Sequence, residues 1–588
     1  MLTLLALAAF ASAPAADYRA RLPEDEVIYF LLPDRFDNGD ASNDMGGLKG
    51  DRLTTGFDPA AKGFYHGGDL KGLTKRLDYI QGMGATAVWL SPIFKNKAVQ
   101  GPKGQESAGY HGYWVTDFTR VDPHLGTDAD FKAFVDAAHA RGMKVYMDII
   151  ANHTADVLYP RECEGKGECP YRSIADYPYQ RRGGTSGAAI NSGFDGRDFS
   201  RLTDPNYAYT VTVKPSEKNI KVPAWLNNPI YYHNRGDTTF KGESSQMGDF
   251  VGLDDLYTEH PRVVQGMIDI YGSWIDRFGI DGFRIDTAQH VNPEFWAAFS
   301  PAMLARARAK NIPNFHIFGE VATSDMDPAH TAVNTRVDRL PNVLDFAFAR
   351  AVIDTVSGTA GTDELAKLFR ADPLYEGGAQ NAGRNPTFLG NHDAGRFPAL
   401  LKMFGFKGSA DELFKRDLLG HAMLLLLRGV PTIYSGDEQG FAGKGGDQDA
   451  RQDMFASKVA TYNEDKLLGT TATTAQSNFN PNHPIYREIA KLARTRTGNA
   501  ALTRGRQQLR FASDKPGLFA VSRFDPVDGH EMLLLFNTST QPIEQNVAVE
   551  TKSVNFTALA GECVATASAP GSVRISLPPL GYAVCDAR

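Results

Sequence analysis

The chain predicts an α/β protein built on a (β/α)8 TIM barrel, with a subdomain inserted after the third strand and a C-terminal antiparallel β-sandwich. Three observations carry that prediction. Eight short β-like runs alternate with amphipathic helical segments, one interval of about a hundred residues breaks the alternation, and after about residue 500 the pattern turns to strands alone.

The eight runs are VIYFLLP at 27–33, TAVWLSP at 86–92, KVYMDII at 144–150, IDGFRID at 280–286, HIFGE at 316–320, NVLDF at 342–346, PTFLGNHD at 386–393 and PTIYSGDE at 431–438. Segments such as DLKGLTKRLDYIQGMG and DADFKAFVDAAHARGMK lie between them and reach glycine just before the next run, a helix stop signal. Residues 22–153 and 254–499 therefore read as the two parts of the barrel. The interval 154–253 is rich in Gly, Tyr, Asn, Pro and Arg and lacks a period, far beyond a normal barrel connection, and reads as an inserted subdomain. Residues 500–588 hold alternating runs (GLFAVSRF, EMLLLFNTS, SVRISLPPLGYAVC) broken by Pro, Gly and Asp, as a sandwich domain requires.

Composition narrows the function. The chain has 588 residues, 42% hydrophobic, and a net charge of -7 with no basic block to track a phosphate backbone, so nucleic acid is excluded as a partner. Aromatics cluster with Gly, Asn and Asp in the loops, as in YHGYW at 110–114, a mixture suited to sugar rings. Residues 1–16 combine one apolar run with small residues and read as a secretory signal, although a basic n-region is missing; the expectation is an exported protein, periplasmic or extracellular. No later stretch is apolar for long enough to span a bilayer, and nothing in the sequence sets an oligomeric state. The four cysteines fit export. Their positions pair Cys163 with Cys169 and Cys563 with Cys585; the alternative, a zinc site, lacks histidines at ligand spacing.

In such a barrel the reacting groups lie at the C-terminal ends of the strands. The third run ends in Asp148, Asn152 and His153, the fourth in Arg284 and Asp286, the fifth in Glu320, and the seventh in Asn391, His392 and Asp393. Several carboxylates at one barrel mouth repel each other, and glycoside hydrolysis gives them a reason to be there. A retaining glycosidase needs one ionised carboxylate as nucleophile and one protonated carboxyl for the leaving oxygen. Arg284 stands two residues before Asp286, so both side chains face the same way on a strand. Asp286 is thus assigned as nucleophile, Arg284 as its charge partner, Glu320 as general acid/base, and Asp393 as the carboxylate that holds ring hydroxyls. Asp117 and Asp148 read as scaffold residues near the site.

The motifs DIIANH, GFRIDTAQH, FGEV and FLGNHD resemble the four main motifs of the alpha-amylase family, in the same order. GATAVWLSP and GVPTIYSGDE resemble its accessory motifs, and the likeness spans roughly residues 25–450. The resemblance implies that His153 and His392 bind hydroxyls of the sugar at the cleaved position. It further implies that Tyr113 stacks on that sugar with His111 beside it. The residue after the nucleophile is Thr287, which in this family goes with alpha-1,4 bonds, so starch, maltodextrins or related maltooligosaccharides are the expected substrates. Maltodextrin-acting amylases and cyclodextrin glucanotransferases carry lysine where this chain has Gln289, a departure that bears on the leaving-side subsites. A cyclomaltodextrinase, neopullulanase or glucanotransferase on the same scaffold is the alternative; a non-catalytic glucan-binding protein would be missing one of the three carboxylates.

Calcium is the expected cofactor. The loop DRFDNGDASND at 34–44 and HGGD at 66–69 concentrate oxygen donors. Resemblance to neopullulanases and cyclodextrin glucanotransferases implies Asn38, Asp40, Asn43, Asp44, the Gly67 carbonyl and Asp69 as ligands. A second ion, at the junction of barrel and insert, would use Asn152, Asp255 and the His290 carbonyl.

Overall fold

The computed structural model describes residues 17–166, 168–323 and 326–587, so the signal segment expected at 1–16 lies outside the described residues. The barrel strands are β1 (Ile28–Leu31), β2 (Ala87–Leu90), β3 (Lys144–Ile150), β4 (Gly282–Asp286), β5 (His316–Gly319), β6 (Asn342–Val343), β7 (Pro386–Thr387) and β8 (Val430–Tyr434). They form one sheet in the order β6-β5-β4-β3-β2-β1-β8-β7, every pair parallel. Between β6 and β7 no ladder forms. Closure there rests on Asp345 N donating to the Pro386 carbonyl at 2.9 Å. The Asn385 Oδ1 adds to it by accepting from Val343 N at 3.2 Å and Asn342 Nδ2 at 3.1 Å.

All eight runs become strands, most with shorter ladders than their apolar stretches. The run 386–393, for instance, pairs only at Pro386 and Thr387. Residues past the ladder leave the sheet to build the barrel mouth. The runs are apolar on both faces because each face meets a separate core. Phe30, Trp89, Tyr146 and Phe318 fill the barrel interior, whereas Tyr29, Val88, Val145, Phe283 and Ile317 pack into the helical layer.

The helices take their positions from the same logic. Helix α1 (Asp128–Ala140) opens on a capping box between Thr127 and Asp130. Helix α2 (Pro261–Phe278) buries Val263, Met267, Ile270, Trp274 and Phe278, a spacing of three and four residues that makes one apolar stripe, and ends at Gly279 in the left-handed conformation.

The insert between β3 and β4 has little regular structure. Its neck is closed where His153–Thr154 pairs antiparallel with Asp254–Asp255, and a ribbon joins Tyr159–Pro160 to Val211–Thr212. Aromatic packing replaces periodicity: Tyr179, Phe194, Tyr207, Tyr209 and Tyr257 form its core, with the buried Arg235 guanidinium 4.6 Å from the Tyr179 ring and 4.9 Å from that of Tyr207. A disulfide joins Cys163 to Cys169, and another joins Cys563 to Cys585.

The C-terminal region contributes β9 (Arg506–Phe511), β10 (Leu518–Phe524), β11 (Glu531–Asn537), β12 (Ile543–Ala548), β13 (Phe556–Ala560), β14 (Ser572–Leu577) and β15 (Tyr582–Ala587). A five-stranded antiparallel sheet, β9-β10-β11-β15-β13, faces the pair β12-β14. Leu518, Ala520, Leu533 and Leu535 pack inward against Val547, Val573 and Ile575. Their alternates Phe519, Val521, Leu534 and Phe536 join the barrel core, which explains why β10 and β11 are buried on both sides.

Candidate active site

The site is assembled by strand register. Arg284 on β4 lies beside Asp148 on β3, and Asp286 beside Ile150. Alternation turns Phe283 and Ile285 outward and Arg284 and Asp286 inward. Arg284 Nη1 donates to Asp148 Oδ1 at 2.8 Å, to Asp148 Oδ2 at 3.0 Å and to Asp286 Oδ1 at 2.8 Å. Its Nη2 is 2.8 Å from Glu320 Oε2. One buried guanidinium therefore bridges three carboxylates drawn from β3, β4 and the end of β5. Such a cluster holds more negative than positive charge, so ionising every member is unfavourable. Burial pushes the Asp148 carboxyl up to about 7 against the pull of Arg284, and pushes Asp286 well above the carboxylate range, with Glu320 and Asp148 adding to the rise.

Asp393 belongs to a second constellation. Its Oδ2 is 3.2 Å from His392 Nε2, and Arg451 Nη2 donates to its Oδ1 at 2.8 Å. About half of its side chain is exposed, so burial opposes its charge only in part, and the Arg451 and Arg284 guanidiniums hold its carboxyl below the usual carboxylate range. Tyr113 links the two constellations. Its hydroxyl donates to Asp148 Oδ2 at 3.1 Å and is 2.8 Å from His392 Nε2. Its ring stacks near those of His111 and His392, and its backbone N donates to His111 Nδ1 at 3.1 Å.

His153 and His392 are fully buried, and burial lowers each to about 3, so both are neutral at ordinary pH and can exchange hydrogen bonds with hydroxyl groups. His153 Nε2 lies 4.0 Å from Asp286 Oδ2 and, among the described residues, has no hydrogen-bond partner, a group poised for a ligand. Gln289 stands at the edge, its Nε2 donating to the Ala322 carbonyl at 3.1 Å. Asp117 lies apart from these groups, with its carboxylate taken by Thr119 and Arg120.

Sequence reasoning missed Arg451 and undervalued Asp148. Arg451 also donates from Nε to the His392 carbonyl at 3.0 Å and from Nη1 to Tyr110 OH at 3.2 Å. Nothing around it in the sequence marks it. Asp148 read as scaffold, yet it receives Arg284, Tyr113 and Trp89 Nε1 together.

The loop expected to hold calcium folds back on itself. Asn38 Nδ2 donates to Asp44 Oδ1 at 2.8 Å, and Asp69 accepts from Gly39 N, Asp40 N, Gly72 N and Asn43 Nδ2. Three observations fit a hard cation. Asn43 Oδ1 is buried without a partner, burial together with Asp34 and Asp69 raises the Asp44 carboxyl, and a Cβ at Gly67 would stand 2.7 Å from Asp44 Oδ1. The Asp40 carboxylate points elsewhere, to Lys71 at 2.6 Å and to Ser42, and its backbone carbonyl accepts from Asn43 N at 3.1 Å, so only the second lone pair of that carbonyl could face an ion. Among the described residues no three His, Cys, Asp or Glu side chains converge as a metal group, so amide and carbonyl oxygens would have to complete the shell. At the second junction Asp255 Oδ2 is 2.6 Å from His233 Nδ1, and Asn152 Nδ2 is 3.4 Å from His153 Nδ1. The His290 ring rests against the Ser245 carbonyl at 2.7 Å.

Comparison with known proteins agrees with this architecture. The family model "Alpha amylase, catalytic domain" matches residues 30–505. An alpha-amylase of Streptomyces lividans is 45% identical over 541 residues, covering 92% of this chain and 58% of that protein. The chain thus spans less than two thirds of the length of the curated relatives it matches first. An Anoxybacillus alpha-amylase structure superposes with a TM-score of 0.68 at 26% identity, covering 97% of this chain and 99% of that one. CldA, a cyclomaltodextrin glucanotransferase with a three-domain ABC distribution, gives 0.70 at 26% identity over 96% and 99%. The barrel, its mouth of carboxylates and the matched family model define an alpha-amylase-type glycoside hydrolase fold; the chain belongs to the alpha-amylase family.

Proposed function

We propose that the protein is a retaining glycoside hydrolase that cleaves alpha-1,4-glucosidic bonds of starch, maltodextrins or related oligosaccharides. The observation that carries this reading is the Arg284 guanidinium bridging Asp286 and Glu320, which brings the two carboxyl groups to one face of the mouth. Retaining enzymes hold such a pair about 5 Å apart. Asp286 attacks the anomeric carbon in its ionised form, paired with Arg284, while Glu320 holds the cluster's proton and passes it to the leaving oxygen; Glu320 then takes a proton from the incoming water, which releases the sugar. Asp393, kept ionised by Arg451, grips ring hydroxyls. Tyr113, His111, His153 and His392 line the same sugar, and Gln289 serves the leaving side.

Incubation with maltoheptaose, with products sized and their anomers followed by NMR, tests the reading. Short maltooligosaccharides released first as α-anomers are expected; β-anomers would overturn the retaining mechanism. The likeness to a glucanotransferase structure favours transfer to sugar as the second reading, and cyclic or lengthened products in the same incubation would select it.

We infer one calcium held by Asn38, Asn43, Asp44, Asp69 and the carbonyls of Asp40 and Gly67, in a loop that supports the mouth. A second, at Asn152, Asp255 and the His290 carbonyl, would share Asp255 with the His233 imidazole. Export through the 1–16 segment completes the reading, with the barrel at 22–153 and 254–499, the insert at 154–253 and the sandwich at 500–588. No helix among the described residues is long and apolar enough to cross a membrane.

A further inference from the structure

Thr287 follows the nucleophile and adopts the left-handed conformation, φ 46°, which a β-branched residue rarely accepts. The turn around it is fixed from three directions. His290 N donates to the Thr287 carbonyl at 2.9 Å, Trp296 Nε1 donates to the Ala288 carbonyl at 3.0 Å, and the His290 ring is held by Ser245. Gly319, the residue before Glu320, lets this turn approach β5: a Cβ there would stand 2.8 Å from the Ala288 Cβ. The result is a backbone amide aimed at a side chain. Thr287 N donates to Glu320 Oε2 at 3.0 Å.

Glu320 Oε2 also receives Arg284 Nη2 at 2.8 Å. An oxygen accepting two donors, one of them cationic, disfavours carrying a proton of its own. We propose that Thr287 is a positioning residue whose left-handed backbone directs its amide onto Glu320 Oε2, so that the transferable proton resides on Oε1. In the first step that proton passes from Oε1 to the glycosidic oxygen, which keeps the electron pair of the breaking C–O bond while Asp286 forms its bond to the anomeric carbon. In the second step the proton of the attacking water passes back to Oε1. The left-handed conformation of this turn is the device, since a residue in the ordinary right-handed or extended region would carry the amide away from the acid. The inference rests on Glu320 being the general acid/base of the proposed hydrolase.

The test removes the hydrogen-bond donor at residue 287. Residue 287 is replaced by the α-hydroxy analogue of valine, an ester lacking the N–H, and compared with Thr287→Val, which keeps it. Both are assayed on maltoheptaose, a poor leaving group, and on 2-chloro-4-nitrophenyl maltotrioside, whose phenolate departs without protonation. The ester is expected to lose about 10-fold or more in kcat/KM, which reports only formation of the glycosyl-enzyme, on maltoheptaose and less than 3-fold on the aryl glycoside. Thr287→Gly, which keeps the amide and accepts φ 46° without strain, is expected to keep the wild-type ratio of kcat/KM between the two substrates, whatever its absolute rate. Equal losses on both substrates, or none, would overturn the positioning role. Glu320→Gln on the same two substrates separates the possibilities. If it discriminates by leaving group while the ester does not, the positioning role alone fails; if it does not discriminate, the acid/base reading fails and the inference with it.

Discussion

Arg451 Nη2 donates to Asp393 Oδ1 at 2.8 Å across 58 residues of sequence, and this pair joins two loops that leave the barrel at different strands. The guanidinium also supports the His392 carbonyl and the Tyr110 hydroxyl, so three parts of the proposed sugar-facing wall depend on one side chain.

Arg451→Leu is expected to lower kcat/KM on maltooligosaccharides roughly 10- to 100-fold, because Asp393 loses its cation and the wall loses its alignment. Arg451→Lys should restore little, since an ammonium cannot reproduce the forked contacts. Steady-state kinetics at two salt concentrations check this, and an unchanged kcat/KM in the leucine variant would refute it.

Asp286→Asn should abolish turnover by about 10⁴-fold or more, and Glu320→Gln should lower it roughly 10²- to 10⁴-fold on natural glucans. Both should keep near-native unfolding temperatures and bind maltoheptaose. Wild type treated with a 5-fluoro-glucosyl fluoride and digested should carry the sugar on the peptide containing Asp286; label elsewhere would move the nucleophile.

Asp148 supplies a pH prediction. Its carboxyl titrates at about 7 in the folded protein because of burial, against about 3.9 in an unfolded chain. Between those values the folded state binds the additional proton, so this group makes stability fall as pH rises from about 4 to about 7. Asp148→Asn removes that dependence. Relative to wild type its Tm should therefore be more favourable at pH 8 than at pH 4, by roughly 2 °C or more. Removing this negative neighbour also eases ionisation of Asp286, so the acid limb of the pH profile of kcat/KM should move to lower pH. A Tm difference independent of pH would show that Asp148 is already ionised throughout.

Chelation should lower Tm by roughly 3–6 °C, since an ion bound only to the folded loop stabilises it by mass action. Asn43→Ala combined with Asp44→Ala should lower the Tm of untreated protein and remove most of the chelator response. Loss of turnover with no change in unfolding would assign the ion to chemistry instead of support.

Gln289→Lys places a cation two residues from Thr287, on the proposed leaving side. It should raise the rate on soluble starch several-fold relative to maltotriose and β-cyclodextrin. An unchanged preference would end the idea that this glutamine sets chain length.

Much of this molecule is legible in its sequence, and the reasons are local. A strand end places Arg284 and Asp286 on one face by alternation alone, Glu320 follows its strand directly and His392 lies in the loop that leaves Thr387, so a motif read in order locates them. The apolar runs reveal strands because both faces of each must be buried. By the same token the C-terminal runs reveal a sandwich, while their pairing order, β9-β10-β11-β15-β13, is set by long-range ladders that no run encodes.

What the tertiary structure decided is which charges meet. Asp148 reads as scaffold until the β3–β4 register lays it beside Arg284, and Arg451 is anonymous in a loop until folding carries it to Asp393. The sequence by itself determined the barrel, its interruption, the late sandwich and the candidate carboxylates, because periodicity and strand-end position are properties of neighbouring residues. The shared guanidinium, the left-handed turn at Thr287 and the closure at Asn385 came only with the fold. Electrostatic coupling and strain depend on distances between segments, and those distances are fixed by packing.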